Sequence, residues 1–321
     1  MSEKLFDDLN IFNSLANELI NDDQEKGISP KIQAEDVLNK LDISLNENGI
    51  DDETFKNSLK EIILNTPKTS GKLFFNQLFG GLNSKSVVGD LLSVLLNNSM
   101  ATYKIAGPMV EVEKEILRKV ASLIDYPKTF GGTFPTGGSM CNFMALIIAR
   151  DKKIPEIKND GNQQDLVCYS SENSHYSIGK NASFAGIGRN NVRYIKTNKK
   201  GEMCSEDLQS TIENDLKNGL IPFFVNATVG TTVMGAIDPI SEISNICNKH
   251  NIWLHIDGAF AGTVIFSKKY KHLVEGIQNS DSFCFNAHKT LGTPLSTSIL
   301  LTKDEQDLYN SFSNKAEYLY Q

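Results

Sequence analysis

From residue 131 onward, short runs of apolar and β-branched residues alternate with longer segments in which apolar side chains follow helical spacing. The short runs predict strands, and the segments near 139–152, 205–218 and 239–250 predict helices. This alternation predicts an α/β fold with a mostly parallel sheet between helices. Because ligands of such sheets bind beyond the carboxyl ends of the strands, polar residues that follow each strand are candidates for function. The predicted strands are Leu166–Tyr169, Val192–Ile195, Phe223–Val229, Ile252–Ile256 and Ser282–Phe285.

The N-terminal part of the chain has a different pattern, because it is polar, acidic and rich in Asn. Its scattered helical spacing predicts short helices, with too few apolar residues for an independent core. Denser apolar spacing predicts two further helices at 87–97 and 108–124. We therefore expect a helical N-terminal segment over residues 1–95 and a ligand-binding domain over residues 96–321.

Composition narrows the range of functions. The chain has 321 residues, of which 40% are hydrophobic, and a net charge of −7, which argues against non-specific binding to nucleic acid or anionic membranes. No apolar run approaches the ~18 residues of a membrane-spanning helix. The N-terminus is polar and acidic, unlike a signal peptide. The five cysteines are widely spread, which predicts reduced thiols in a cytoplasmic protein rather than a disulfide or zinc framework.

A glycine-rich turn at Gly131–Ser139 precedes the amphipathic helix that is expected to begin near Met140. Glycines at a helix start let backbone N–H groups approach an anion, and the helix dipole favours negative charge there. Gly137, Gly138 and Ser139 are therefore candidates for binding a phosphate. The simpler interpretation is a tight turn in which Ser139 caps the helix. The pattern matches neither a Walker loop nor a dinucleotide-binding turn.

Three further polar residues follow predicted strands. Asp257 comes directly after Ile252–Ile256, where a carboxylate is costly to bury unless paired, so it either bonds the following turn or faces a cationic ligand. His175 lies just past the strand at 166–169 and by itself indicates little. Lys289 follows the last of the predicted strands. Most lysines are solvated, but one that is shielded from water can act as an amine nucleophile toward carbonyl groups.

A metal site is a further interpretation of the strand that ends at Asp257. His255 and Asp257 are two residues apart on one strand, so their side chains share a face of the sheet. Structural and catalytic metals need at least three protein ligands in most sites. No third ligand at suitable spacing accompanies this pair, and we therefore expect no metal.

The candidate residues fit one cofactor when they are taken together. Pyridoxal phosphate needs a phosphate cradle, a partner for its pyridine nitrogen and a lysine that binds its carbonyl carbon. The chain presents a glycine turn, His175, Asp257 and the segment Asn286–Lys289, in that order. The last three follow strands of the same predicted sheet, and the glycine turn opens the helix that precedes the first of these strands, so we expect all four at one edge of the sheet.

In this order the chain resembles the group II amino-acid decarboxylases that depend on pyridoxal phosphate, namely those acting on glutamate, cysteine sulfinate and aromatic amino acids. The resemblance covers about residues 70–321, and its motifs are specific only in combination. Segments shared with glutamate and cysteine sulfinate decarboxylases are Phe74–Phe79, Thr102–Ala106 and Ala227–Thr232. The resemblance implies an aspartate-aminotransferase-like large domain, pyridoxal phosphate as cofactor, decarboxylation of a small amino-acid substrate, and a homodimer.

The resemblance also implies roles for individual residues. Lys289 would bind the cofactor covalently, Asp257 would keep the pyridine nitrogen protonated, and His175 would stack on one face of the ring. Ala259 would touch the other face, and Thr228 would lie near the 3′ oxygen. The residues implied to bind the phosphate are Gly137, Gly138, Ser139, Asn286 and His288.

Two residues bear on the substrate. Gln77 matches the position that helps to hold a substrate carboxylate in the family. Ser99 stands where glutamate decarboxylases typically carry asparagine and cysteine sulfinate decarboxylases carry serine, which favours an acidic substrate such as cysteine sulfinate or aspartate, with glutamate still open. Ala101 and Lys104 depart from the family pattern, so pocket volume and specificity also stay open.

Family members continue past the segment Ala316–Gln321, first with a mobile loop that carries a tyrosine and then with a small C-terminal domain. We therefore expect this chain by itself to bind cofactor and to decarboxylate poorly. Two alternatives are open. An aminotransferase-like enzyme or another lyase would be revealed by a keto acid in place of carbon dioxide. A non-catalytic fragment that pairs with a full-length subunit would gain no activity from the cofactor.

Overall fold

The computed structural model describes residues 3–22, 32–45, 47–76 and 78–313. Contacts divide the chain into two compact units, Met1–Gly81 and Leu82–Gln321. The sequence places the end of the N-terminal segment at residue 95, and that boundary stays a prediction.

The first unit consists of helices α1 (Glu3–Asp22), α2 (Val37–Lys40) and α3 (Asp52–Asn65), with a 3₁₀ turn at Ala34–Asp36. Asp51 caps α3, because its carboxylate accepts a hydrogen bond from the Thr54 backbone N–H at 2.7 Å. An ion pair joins Lys60 of α3 to Glu18 of α1, with 2.6 Å between Nζ and Oε2. The described part of α3 has no buried residue, as expected of a segment with few apolar positions.

The second unit contains the α/β fold. Its helices are α4 (Ser84–Leu96), α5 (Tyr103–Ala106), α6 (Met109–Leu123), α7 (Gly138–Lys153), α8 (Ile157–Asp160), α9 (Ser177–Phe184), α10 (Ser205–Lys217), α11 (Ile240–His250), α12 (Ala287–Thr290) and α13 (Glu305–Phe312). Its strands are β1 (Gly131–Thr133), β2 (Leu166–Ser171), β3 (Val192–Ile195), β4 (Ile221–Thr228), β5 (Trp253–Gly258), β6 (Ser282–Asn286) and β7 (Ser298–Thr302). The five helices and five strands predicted in the second unit are confirmed, with ends shifted by a few residues.

Within the described residues, seven strands form one sheet in the order β1-β7-β6-β5-β4-β2-β3. Strands β3, β2, β4, β5 and β6 are parallel, whereas β7 runs antiparallel to both β6 and β1. The prediction of a mostly parallel sheet is therefore confirmed. Strands β1 and β7 were not predicted, and they add an antiparallel edge.

Helices cover both faces of the sheet and make two hydrophobic cores. One core packs apolar residues of α7, α8 and α9 against the sheet, including Ala145, Ile148 and Ile178. The other packs residues of α6, α10 and α11 against the opposite face, including Leu208 and Ile243. Burial on both faces explains why the parallel strands have near-continuous apolar sequences.

None of the helices in the described ranges has both the length and the apolar character that crossing a membrane requires.

Candidate active site

A cavity of about 480 Å³ opens at the carboxyl ends of β4, β5 and β6, next to the start of α7. This is the edge at which parallel sheets bind ligands. Every residue implied to bind the cofactor lines this cavity: Gly137, Gly138, Ser139, His175, Thr228, Asp257, Ala259, Asn286, His288 and Lys289. Ser99 is exposed and is not among the lining residues, so its contact with a substrate stays a prediction. Gln77 lies outside the described residues.

Asp257 lies near the end of β5, and only 3% of the residue is exposed. Two nitrogen donors of the protein bond its buried carboxylate, and the thiol of Cys284 lies 3.9 Å from Oδ1. The side-chain amide of Asn142 donates to Oδ2 at 2.7 Å, and the backbone N–H of Ala259 donates to Oδ1 at 3.0 Å. These bonds fix the carboxylate at the cavity wall, where it can receive a cationic N–H group from a ligand.

The start of α7 forms another part of the cavity wall. Gly137 precedes the helix, and its carbonyl accepts the backbone N–H groups of Met140 and Cys141, both at 3.0 Å. The first N–H groups of the helix, those of Gly138 and Ser139, have no partner within the helix. The side-chain amide of Asn181 donates to the Ser139 carbonyl at 2.9 Å and holds this turn in place. The turn therefore presents backbone donors to an anion.

Gly138 and Asn286 approach each other closely. A Cβ atom at Gly138 would lie 2.9 Å from the Cβ of Ala259 and 3.1 Å from Nδ2 of Asn286, so only glycine fits without a shift. Oδ1 of Asn286 is buried and has no hydrogen-bond partner within the described residues. Buried polar atoms without partners are rare and commonly mark a ligand site.

His175 has a defined orientation. Its Nδ1 accepts the backbone N–H of Ser177 at 3.2 Å, so the neutral ring carries its proton on Nε2. The ring contacts that of Tyr176, with 4.2 Å between centroids. Burial lowers the pKa of His175, the carboxylate of Asp257 opposes this, and the charge of Lys289 adds to it. The ring is therefore a neutral, flat surface at the cavity at neutral pH.

Lys289 and His288 lie on α12, the single helical turn that follows β6. The Lys289 side chain is partly buried and lines the cavity. Nδ1 of His288 donates to the Thr297 carbonyl at 3.0 Å. Burial lowers the pKa of His288, which the bond to Thr297 opposes and the Lys289 charge strengthens. The neutral His288 ring therefore has an acceptor nitrogen at Nε2.

Thr228 ends β4, directly beside Asp257 in the sheet register. The buried carboxylate of Asp238 fixes its backbone, accepting the N–H of Thr228 and that of Met203, each at 2.7 Å. Burial raises the pKa of Asp238 to about 6 despite these two bonds. Residues 229–237 form the turn between Thr228 and Asp238, and Gly230 and Thr232 of that turn also line the cavity.

Sequence reasoning missed several residues of this site. Asn142, Tyr176 and Phe260 line the cavity, and Asn142 bonds Asp257 directly. A signal for Asn142 was present, because it lies three residues after Ser139 and is a polar residue within an apolar helix face. Nothing in the local sequence indicates that it reaches a carboxylate 115 positions away.

The sequence matches the conserved domain of pyridoxal-dependent decarboxylases over residues 35–321. It is 38% identical over 292 residues to cysteine sulfinic acid decarboxylase of Rattus norvegicus, an alignment that covers 90% of this chain and 59% of the relative. It is 36% identical over 326 residues to acidic amino acid decarboxylase GADL1 of Xenopus tropicalis, covering 99% of this chain and 63% of the relative. The chain thus spans less than two thirds of the length of these relatives.

Solved structures are similar to the chain over almost its whole length. The apo form of mouse CSAD superposes with a TM-score of 0.93 at 34% identity, covering 98% of this chain and 67% of that one. The glutamate decarboxylase domain of a Vibrio parahaemolyticus diaminobutyrate-pyruvate transaminase and L-2,4-diaminobutyrate decarboxylase gives a TM-score of 0.88 at 25% identity, with 96% and 69% covered.

Proposed function

The chain belongs to the family of pyridoxal-dependent decarboxylases, and on that premise we propose that it binds pyridoxal phosphate and decarboxylates an acidic amino acid to an amine and carbon dioxide. One observation carries the proposal: Lys289, Asp257, His175 and the start of α7 line a single cavity. These groups come from three separate strand ends and a helix start. Together they supply an amine, a carboxylate, a flat ring and an anion site, as this cofactor requires.

The donor set fits the cofactor. The free N–H groups at the start of α7 suit a phosphate, and the lack of a side chain at Gly138 allows the ligand to approach the backbone. Asn286 suits a phosphate through its side-chain N–H₂ group, because phosphate oxygens accept hydrogen bonds. Its buried Oδ1 has no partner in the described part of the chain, and it can accept a hydrogen bond from an ordered water or from an N–H or O–H group of a ligand. The carboxylate of Asp257 suits a protonated ring nitrogen, because opposite charges at short range favour the charged form of the partner.

Pyridoxal phosphate, when bound, supplies an electron-accepting ring for the pair of electrons left when the bond from the α-carbon to the carboxylate breaks. Lys289 would hold the carbonyl carbon of the cofactor through its amine and release it to the amino group of the substrate. Asp257 would hold the proton on the ring nitrogen, so that the ring accepts that electron pair.

The remaining residues orient the ring and exclude water. His175 would cover one face and Ala259 the other, and Thr228 would contact the 3′ oxygen. His175 suits this role because the hydrogen bond that its Nδ1 accepts from the Ser177 backbone and its contact with the Tyr176 ring fix the plane of the imidazole. His288 would donate to the phosphate only in its charged form, because the neutral ring has its proton on the Thr297 side.

The acidic substrate is proposed from the relatives, whose names specify cysteine sulfinic acid and acidic amino acids. Gln77 and Ser99 are the residues proposed to contact it. The proposal is tested by supplying the chain and pyridoxal phosphate with cysteine sulfinate, aspartate and glutamate in turn, and measuring carbon dioxide and amine. We expect slow release of carbon dioxide with at least one of them, in line with the poor activity expected of this chain by itself, and none with the Lys289→Ala variant. A keto acid without carbon dioxide would contradict the proposal and favour an aminotransferase-like enzyme.

We also propose a homodimer in the cytoplasm. Helix α4 supports the dimer, because its apolar residues Val88, Leu92, Val94 and Leu96 are between 54% and 70% exposed. Exposed apolar side chains that cluster on one helix are typical of subunit interfaces. The five cysteines support a reducing compartment, since all are free thiols and four are buried.

A further inference from the structure

A row of polar side chains crosses the middle of the sheet beneath α7. Its members lie opposite one another in the register of neighbouring strands and have no exposed surface: Ser170, Asn226, His255, Ser282 and Thr302. Strands of a parallel sheet that is covered on both faces are normally apolar. Burying polar groups costs free energy unless they are hydrogen-bonded, so such a row needs an explanation.

The direction of each hydrogen bond in part of this row can be derived. Nε1 of Trp253 can only donate, and it lies 2.8 Å from Oγ of Ser282. This contact alone leaves the direction between Ser282 and Nδ1 of His255, also 2.8 Å apart, open, because a hydroxyl can accept twice. The other end of the row decides it: the Asp257 carboxylate can only accept, so Asn142 turns its amide nitrogen to Oδ2 of Asp257, at 2.7 Å, and its Oδ1 to Nε2 of His255, at 3.0 Å. The neutral imidazole must then donate from Nε2, and the Ser282 hydroxyl donates to Nδ1.

The protonation state of His255 and the surroundings of His255 and Asn142 support this arrangement. Burial lowers the pKa of His255 to about 4, so the ring is neutral at physiological pH. Reversing the Asn142 amide would place its carbonyl oxygen against the Asp257 carboxylate, where two acceptors would repel each other. In this orientation the amide also donates to Oγ of Ser177 at 3.1 Å. Phe224 stacks on the His255 ring, with 5.9 Å between centroids.

We propose that Ser282, His255 and Asn142 are positioning residues, which form a one-way chain of hydrogen-bond donors that ends on Asp257. The chain holds the Asp257 carboxylate from beneath, inside the protein, and leaves its cavity side to a ligand. That these hydrogen bonds help Asp257 to hold a protonated cofactor ring rests on the proposed function. The hydrogen bonds themselves do not depend on it. Both ring nitrogens of His255 take part in these hydrogen bonds, so this histidine has no free lone pair for a metal.

The first test uses the protein without cofactor. The chain has five histidines, and ¹⁵N-histidine labelling with comparison to the His255→Gln variant assigns the His255 signals. We expect a neutral ring protonated on Nε2 at pH 7, because Asn142 accepts that proton. A ring protonated on Nδ1, or a charged ring at this pH, would overturn the proposal whether or not the protein binds pyridoxal phosphate.

The second test measures the affinity for pyridoxal phosphate of two serine variants. Ser282→Ala removes the first donor of the hydrogen-bond chain that ends on Asp257. Ser170→Ala removes an equally buried serine of the same row, which bonds Asn226 instead. We expect Ser282→Ala to bind pyridoxal phosphate about tenfold more weakly, because the loss of roughly one hydrogen bond changes the affinity by that factor. We expect little change in the affinity of Ser170→Ala. Equal effects of the two substitutions would overturn the proposal.

A third pair of variants separates positioning from folding. Glutamine at position 255 has one donor and one acceptor and can replace both bonds of the imidazole, whereas leucine replaces neither. His255→Gln is expected to bind pyridoxal phosphate within about threefold of the wild type, and His255→Leu at least tenfold more weakly, with thermal unfolding recorded for both. Equal affinity of two folded variants would contradict the proposal. A wild-type protein that does not bind the cofactor would instead refute the proposed function.

Discussion

The cavity end of the sheet and helix α4 are built in opposite ways. At the cavity, polar side chains such as Asp257 and Asn142 are almost completely buried, and each has defined partners. In α4, apolar side chains are exposed, and none of its 13 residues is buried. The first region places polar groups where water is excluded, and the second places apolar groups where water has access.

This difference between buried polar groups and exposed apolar ones indicates which parts of the proposed enzyme one chain supplies by itself. Buried polar groups with fixed partners indicate a preorganised site, because each bond holds its group in place before a ligand arrives. An exposed apolar helix has the opposite implication, since its burial must come from elsewhere. We therefore expect substitutions at the cavity to change stability and ligand binding within one chain, and substitutions in α4 to change association.

The largest expected effect concerns pH and two buried groups near the cavity. The pKa of His255 falls from 6.5 to about 4, so its contribution to stability is present above pH 6.5 and is lost as the pH falls toward 4. The pKa of Asp238 rises from 3.8 to about 6, so its contribution is present below pH 3.8 and is lost as the pH rises through 6. Each titration changes the free energy of unfolding by about 3 kcal/mol. Protonation of His255 lowers it as the pH falls, and ionisation of Asp238 lowers it as the pH rises.

Two variants separate these opposing contributions. His255→Gln should lose less stability than the wild type between pH 6.5 and 4, and Asp238→Asn should lose less between pH 4 and 6, each by about 3 kcal/mol. Urea unfolding at several pH values measures both slopes. Profiles of the two variants that stay parallel to that of the wild type would show that neither group titrates in this way.

The next prediction concerns the glycines before and at the start of α7. Gly138→Ala places a methyl group 2.9 Å from the side chain of Ala259 and should lower the free energy of unfolding by about 1–3 kcal/mol. Gly137→Ala is the matched control, because a Cβ there meets no atom within 4 Å. Chemical unfolding compares the two. Equal stability of both variants would mean that the residues around Gly138 move enough to accommodate a methyl group.

A change in α4 should affect association without affecting the cavity. Leu92 and Leu96 lie one turn apart on one face, and replacing both with glutamate should weaken self-association by more than tenfold, because two charges would be buried in the interface. Lys85→Glu on the same helix is the control for added negative charge. Sedimentation equilibrium measures the assembly, and an unchanged mass distribution for the double variant would contradict a role of this face.

The smallest expected effect lies on α6. Lys114 and Glu111 form an ion pair with 2.9 Å between Nζ and Oε1, and both side chains are more than half exposed. Such pairs contribute little because water competes for both charges. Lys114→Ala should change the free energy of unfolding by less than about 0.5 kcal/mol in chemical denaturation. A loss of several kcal/mol would show that this surface is buried in the assembly.

Much of the fold follows from local sequence pattern, because the buried strands β2 to β6 are apolar and the helices between them are amphipathic. Strand β1 escaped prediction because Gly131–Thr133 has low β propensity, and it becomes a strand only by pairing with β7. The cofactor-binding positions could be inferred from polar residues after strands together with the family resemblance. The contact between Asn142 and Asp257 could not, because it depends on how α7 lies across the sheet.

Covalent binding of pyridoxal phosphate by Lys289 in this cavity is the proposal on which the function of the site rests. It is tested most directly by the visible absorption spectrum of the protein with pyridoxal phosphate, compared between the wild type, Lys289→Ala and Lys249→Ala. Lys249 is an exposed lysine on α11 and controls for non-specific reaction of the cofactor with lysines. We expect a visible band of lysine-bound cofactor in the wild type and in Lys249→Ala, and no such band in Lys289→Ala. A band that persists without Lys289, or that is absent from the wild type, would contradict it.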